Sequence, residues 1–371
     1  MAAADEARRA GPSKNPETIK AFELAAWAAE KRIEYADALK RLRDAEELTD
    51  RSRDVVVWAR VQFAIAWVLQ DQGQYHDAEV ILREVLKERE RALGPEAPDT
   101  LATRNDLANA LVDQGKYAEA EADIRAVLRV REKVLGPEHP DTLKMRNNLA
   151  RTLDHEGKYA EAEAEYRAVI KLREKVLGPE HPRTLTARNN LAVVLDDEDK
   201  YAEAEAEYRA VIKLEEKVWG PEHPNTLVTR NELAKALEEQ GKFTEAEAED
   251  RAVLNLQEKT VGPENPDTLE TRDDLATALL SQGKSAEAEA EYREVIKLRE
   301  KVLGAEHPDT LQTYFSLAGC LRAEGKMQEA KAFAQRAAEG ARKVLGVEHP
   351  DTRKYEQFWQ ELQAKGDEAS K

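Results

Sequence analysis

The sequence predicts an all-α fold. It is a right-handed α-solenoid of about eight antiparallel helix pairs on a 42-residue repeat, with a C-terminal capping helix. Three observations predict it. Glycines fall at Gly94, Gly136, Gly178, Gly220, Gly262, Gly304 and Gly346, each 42 residues after the last, and a fixed period of that size marks a repeat architecture. One phrase recurs around them, LGPEHPDTL: at Leu135–Leu143, at Leu177–Leu185 with Arg183 for Asp, and at Leu303–Leu311 with Ala305 for Pro. Between the glycines, apolar residues recur at i, i+3, i+4, which is helical spacing. A β-propeller shares the period but needs alternation by twos, so it is excluded.

The third repeat serves as the pattern. Leu143, Arg146, Leu149, Ala150 and Leu153 make the inward stripe of a first helix, A. Gly157 suits a tight turn that needs positive φ. Gly73, Gly115, Gly241, Gly283 and Gly325 fill the same slot, and the fourth repeat has Asp199 there, a residue that tolerates this conformation better than most. A second stripe, Tyr159, Ala162, Tyr166, Val169, Ile170, Val176 and Leu177, makes helix B. Gly178 ends it, and Pro179 prevents its continuation. Pro182 suits the first turn of the next helix A. Asp141, Asp267 and Asp309 place negative charge where the helix dipole favours it. The blocks Lys158–Gly178 and Lys200–Gly220 differ only at Arg173/Glu215 and Leu177/Trp219.

Residues 1–54 read as an N-terminal helical cap or degenerate repeat. Within it Glu17–Leu48 looks like a helix pair, and YADALKRLRDAEEL from Tyr35 aligns with helix B. Residues 55–346 hold seven repeats. Residues 347–371 read as a capping helix and tail, with Tyr355, Phe358, Trp359 and Leu362 on one face against the last helix B and with Glu356, Gln360 and Glu361 in water. Solenoid ends need such caps, because each unit buries its faces against neighbours. No linker-like stretch interrupts the repeats, so one continuous domain is expected.

The formal charge is −17, from 57 Lys and Arg against 74 Asp and Glu. That balance excludes a basic stripe for phosphates and docking on an anionic membrane surface. The start lacks the apolar core of a secretory signal, and the longest apolar run is too short to span a bilayer. Cys320 is the single cysteine, so no intramolecular disulfide can form, and a cytoplasmic location is expected. The chain is expected as a monomer or weak homodimer. No phosphate loop, dinucleotide fingerprint, zinc-protease or nucleophile-elbow motif occurs, so no enzyme, metal or cofactor is expected. His139, His181, His223, His307 and His349 recur one per repeat, too far apart to share an ion, and read as structural. The pairs Glu163–Arg167, Glu205–Arg209 and Glu289–Arg293 stand at i, i+4 and read as a solvated convex face. Cys320 reads as packing.

Leu149-Ala150, Leu153, Gly157, Tyr159, Ala162 and Tyr166 follow a pattern that resembles the tetratricopeptide repeat. With NNLA, GKYAEAEAEY and LGPEHPDT, the chain is similar to the long-repeat, kinesin-light-chain-like type over about Val55–Leu345. The resemblance implies that helix A lines a concave groove. Asn147, Arg151 and Asp154 then share one line beside the packed stripe. Asn105, Asn147, Asn189 and Asn231 occupy one slot in four successive repeats, with Asp106, Asn148, Asn190 and Glu232 beside it. A row of amides offers donors and acceptors at intervals that suit an extended peptide.

The resemblance implies peptide contact fully at Asn147, Asn148, Asn189 and Asn190, and more weakly at Asn105 and Asn231. It fails at Asp273-Asp274 and Phe315-Ser316. Arg151 and Lys235 belong to the variable groove line, with Val193 between them. The alternative is that the amides only set repeat stacking. The row Arg104, Arg146, Arg188, Arg230 and Arg272 either contacts ligand carboxylates or pairs with helix-B glutamates. Asp154, Asp196, Asp197, Glu238 and Glu239 make one groove edge acidic. The expected function is a non-enzymatic scaffold or adaptor that binds a protein or peptide. A regulatory sensor that changes superhelical shape on binding a peptide or small molecule is the alternative.

Overall fold

The structure, a computed structural model, describes residues 35–347 and 349–368, with side chains as far as 364. The first helix of the expected N-terminal pair, from Glu17, lies outside the described residues. What is described is helical throughout. α1 is Tyr35–Glu47, the expected partner of the degenerate pair. Seven A/B pairs follow: α2 Val55–Asp71 and α3 Tyr75–Leu93, α4 Pro98–Val112 and α5 Tyr117–Leu135, α6 Pro140–His155 and α7 Tyr159–Leu177, α8 Pro182–Asp197 and α9 Tyr201–Val218, α10 Pro224–Glu239 and α11 Phe243–Thr260, α12 Pro266–Ser281 and α13 Ser285–Val302, α14 Pro308–Ala323 and α15 Met327–Val344. α16, Pro350–Glu368, closes the series.

Contacts gather the chain into two compact bodies, one ending at Gly178 and the other starting at Pro179. In the first body α1 to α7 pack as consecutive neighbours; in the second, α8 to α16 do the same. Each body is a stack of helix pairs around small and aliphatic side chains. In the third repeat Leu143, Leu149, Ala150, Leu153, Ala162, Tyr166, Val169 and Ile170 are all buried. At the C-terminus Tyr355 and Leu362 are buried, and Phe358 and Trp359 pack on the same core. Phe315 stacks on Tyr355 at 4.7 Å and meets Phe358 edge-on at 5.1 Å. Gln360 and Glu361 are exposed as expected, whereas Glu356 pairs with Arg342 at 2.7 Å.

The GPEHPDT phrase is a helix-to-helix staple. Gly136 closes α5 with φ 89°, a conformation that costs glycine nothing. His139 is then the N-cap of α6, its Nδ1 accepting from the Asp141 N–H at 3.2 Å, and Pro140 opens the helix. His181, His223, His307 and His349 do the same for Arg183, Asn225, Asp309 and Asp351. A threonine also reaches back within the staple, as when Thr310 Oγ1 donates to the Gly304 carbonyl at 2.9 Å. Between helices A and B the turn slot is left-handed in every repeat. Asp199, at φ 60°, is the sole non-glycine with positive φ among the described residues.

Two expectations about helix B need correction. Val176 is 43 % exposed. Arg173 is buried in that last stretch instead, because its guanidinium donates to Asn147 Oδ1 at 3.2 Å. The middle glutamate of AEAEAEY is not solvated either, although the first is, as Glu161 at 57 % exposure. Glu205 and Glu289 keep only 8 % and 13 % of their side chains exposed. Each is clamped by its own-helix arginine and by a lysine of the next repeat's turn, Lys242 and Lys326. The same clamp joins Lys116 to Glu79 at 2.6 Å and Lys158 to Glu121 at 2.7 Å. Burial opposes ionisation of Glu79, yet hydrogen bonds from Lys116 and Arg83 hold its carboxyl down at about 2.

The capping role of histidine makes a direct prediction. Asn265 performs it in the sixth repeat, its Oδ1 accepting from Asp267 N–H at 2.9 Å, whereas Ala97 caps α4 with no side-chain bond. Ala97→Asn should therefore stabilise the chain by about 1 kcal/mol. His139→Ala should cost about that much and His139→Asn nearly nothing. Urea denaturation midpoints of the three variants check all three.

Candidate functional site

Helix A places the candidate residues on one line in each body. The arginine row is held inside the scaffold. In the first body Arg104 pairs with Glu90, and Arg146 pairs with Glu132 and, at 3.0 Å, with Glu165. In the second, Arg188 meets Glu207 at 2.6 Å, Arg230 meets Glu249, and Arg272 bridges Glu258 and Glu291. Every acceptor lies on a flanking helix B. A half-buried guanidinium needs such a partner, so these charges set the packing of A against B.

The amides divide by body. In the first, Asn148 Nδ2 donates to Asn105 Oδ1 at 3.4 Å, from one repeat to the next. Asn105 Nδ2 donates to Asp106 at 2.9 Å, and Asn147 Oδ1 accepts from Arg173. Arg151 is exposed, with Asp113 of the preceding repeat in its field. In the second body Asn231 Nδ2 donates to Thr271 Oγ1 at 2.9 Å. The Oδ1 atoms of Asn189 and Asn231 are buried without a hydrogen-bond partner. The cause is a change on helix B. Where the third repeat has Arg173, the fourth has Glu215 and the fifth Gln257, and neither offers a guanidinium. Glu215 itself is 2 % exposed, its Oε2 lacks a partner, and burial pushes its carboxyl up. The sixth repeat restores the pairing in charged form, with Asp273 3.5 Å from Arg299 and accepting from Thr313 at 2.9 Å.

Beside Asn231 lies a cavity of about 330 Å³, lined among others by Leu227, Glu232, Lys235, Gln257 and Glu270. Lys235 Nζ reaches Glu270 at 3.1 Å and stands 3.8 Å from both Glu232 and Asp274. Behind it the acidity deepens. Burial, then the charges of Asp274, Glu238 and Glu249, push Asp250 up to about 8. Burial pushes Asp274 up to about 7 despite Lys235, and Glu238 to about 7 with Asp274 and Glu239 adding to it. Asp196 rises to about 6 for the same reason, with Asp197 and Glu232 beside it. Sequence reading flagged Glu238 and Asp196 but missed Asp250. Its signal was present in register: Asp250 stands where the other repeats have Leu82, Ile124, Tyr166, Tyr208, Tyr292 and Ala334.

The amide lines and the cavity beside Asn231 present hydrogen-bonding and charged side chains, and no metal-binding cluster occurs among the described residues. The tetratricopeptide repeat family matches six overlapping segments, 59–122, 101–175, 147–217, 197–249, 225–301 and 286–343. The chain belongs to that family. Among solved structures it is similar to a kinesin light chain with nearly identical TPR-like repeats from Podosopora anserina. The two are 29 % identical over 56 % of this chain and 98 % of that one, with a TM-score of 0.51. It shares its fold with a tetratricopeptide repeat protein from Parabacteroides merdae, 16 % identical over 82 % and 98 % of the two chains, TM-score 0.56. BtubC from P. vanneervenii shares it too, 18 % identical over 65 % and 93 %, TM-score 0.50. No curated protein matches this chain. No helix among the described residues is long and apolar enough to cross a membrane.

Asp250 makes stability depend on pH. The folded chain keeps a proton up to about pH 8 that an unfolded aspartate releases near 3.8. Stability therefore falls as pH rises through that window. Asp250→Tyr, which installs the residue of three sister repeats, should flatten the slope and stabilise the chain by a few kcal/mol near pH 8. Urea midpoints of parent and variant at both ends of the window read this directly.

Proposed function

We propose that the chain is a protein-binding scaffold whose second body holds an extended peptide on the helix-A faces of the fourth and fifth repeats, around Asn189, Asn190, Asn231 and Lys235. The family as a whole is one of protein-binding scaffolds. One observation carries the finer reading. The buried Oδ1 atoms of Asn189 and Asn231 have no partner, and leaving a buried acceptor unsatisfied costs about 1–3 kcal/mol. A peptide backbone supplies N–H donors at regular intervals, so binding would relieve that cost. The equivalent amides of the first body, Asn105, Asn147 and Asn148, are engaged within the scaffold. We assign those to repeat stacking, and with them Arg151 to the surface line. The arginine row, ion-paired throughout, positions helices and leaves ligand carboxylates to others. A cytoplasmic location belongs to the same proposal.

The reading is tested by filling the acceptors from within. Glu215→Arg and Gln257→Arg together recreate the Arg173 arrangement behind Asn189 and Asn231. A random-peptide display on the full chain, repeated on this double variant, compares what each retains. The expected result is a higher melting temperature and about tenfold weaker binding, or 1.4 kcal/mol, of peptides selected on the parent. Unchanged binding on a variant that melts higher would remove the asparagines from the ligand site.

A further inference from the structure

We infer that the acidic junction between the fifth and sixth repeats is a subsite for a cationic side chain, a lysine or arginine of the peptide held on the helix-A faces. The inference rests on the groove reading and adds a charge requirement to it. Three carboxyl groups, Glu270, Glu232 and Asp274, stand 3.1 to 3.8 Å from one cation, Lys235, and two more, Glu238 and Asp250, lie within its field and that of Asp274. Glu232, Lys235 and Glu270 line the cavity beside Asn231. Glu238 on α10 and Asp274 on α12 are half-buried. α11 packs against both helices, and it brings Asp250 to their junction.

Asp250 supplies the second, independent observation. Its side chain is 1 % exposed, and its Oδ2 has no hydrogen-bond partner. After its own burial it feels the charges of Asp274 and Glu238 most, then those of Glu249 and Lys235. The position is apolar or tyrosine in every other repeat, so helix packing alone does not call for a carboxylate. A buried acid without a partner disfavours folding. An arriving ammonium or guanidinium offers the missing charge and up to several donors. Lys235 occupies one edge of the cluster through Glu270, and the remaining carboxylates outnumber it. Their excess, with the cavity opening beside them, selects a basic side chain over a neutral or acidic one.

The test is a random-peptide display on three full-length chains. The first is the parent. The second is Asp250→Tyr with Asp274→Asn. The third is a control that removes two exposed carboxylates away from the junction, Glu174→Gln with Glu216→Gln. Parent and control should enrich peptides with Lys or Arg at one fixed position, and the second chain should not. A parent-selected peptide should bind the second chain about tenfold more weakly, while its citrulline analogue binds both alike. Glu238→Gln with Asp274→Asn, which leaves the core position untouched, should reproduce the loss at a melting temperature no lower than the parent's. Peptides that enrich on all chains without a fixed basic position would overturn the subsite and leave the groove reading intact. Equal losses on the control would reduce the effect to net charge and overturn it too. Enrichment on none of the chains would sink the groove reading and the subsite together.

Discussion

Each repeat here has two apolar faces and can cover neither alone. That is the constraint on which the rest depends. Ala150 and Ala162 are fully buried because neighbouring helices come close enough to need a small residue there. The close fit fixes register: a given slot in one repeat meets a given slot in the next. Within each body a turn lysine then lands on the glutamate of the preceding helix B, as Lys116 does on Glu79 and Lys284 on Glu247. Polar contacts of this kind add direction to a stack that burial already holds together.

Register also gives departures a meaning. Asp199 in a glycine slot is tolerated by its backbone and accepts a hydrogen bond from Tyr201 at 2.6 Å. The exchange of Arg173 for Glu215 is different in kind. It removes the donor that satisfies an asparagine and leaves two buried acceptors open in one repeat, Asn189 Oδ1 and Glu215 Oε2. Asp250 in a tyrosine slot goes further and puts charge where its sisters put a ring. Natural sequences are locally consistent except where function or strain intervenes. In this chain the inconsistent slots gather in the second body, around the fourth to sixth repeats.

A scaffold of this type separates stability from recognition. The staple of glycine, histidine, proline and threonine recurs with little change at the starts of the A helices, with Asn265 in the histidine's place in one repeat and Ala97 leaving it uncapped in another. The helix-A line beside the packed stripe varies from Arg151 to Val193 to Lys235, and that variation leaves the stack intact because those side chains are not part of the buried core. The same division explains why the arginine row is so regular. Arg146 and Arg272 each tie one helix A to both flanking helices B, a structural task that recurs with the period.

The repeat length, the helix boundaries, the glycine and aspartate turns, the capping helix and the family were all legible in the sequence, because each follows from local propensity and a period seen seven times. Asp250 was legible in principle, by register, once the helix-B slot is known to face inward. Other features could not be read. Histidine as an N-cap, glutamates buried under lysine clamps and the split between satisfied and unsatisfied asparagines depend on atoms brought together from different helices. A sequence period says which residues share a slot. Only packing decides what each slot touches, and hydrogen bonds and ion pairs act over a few ångströms. That range is why Asn147 and Asn189, identical in sequence context, differ: one has an arginine within reach, and the other faces a glutamate's repeat.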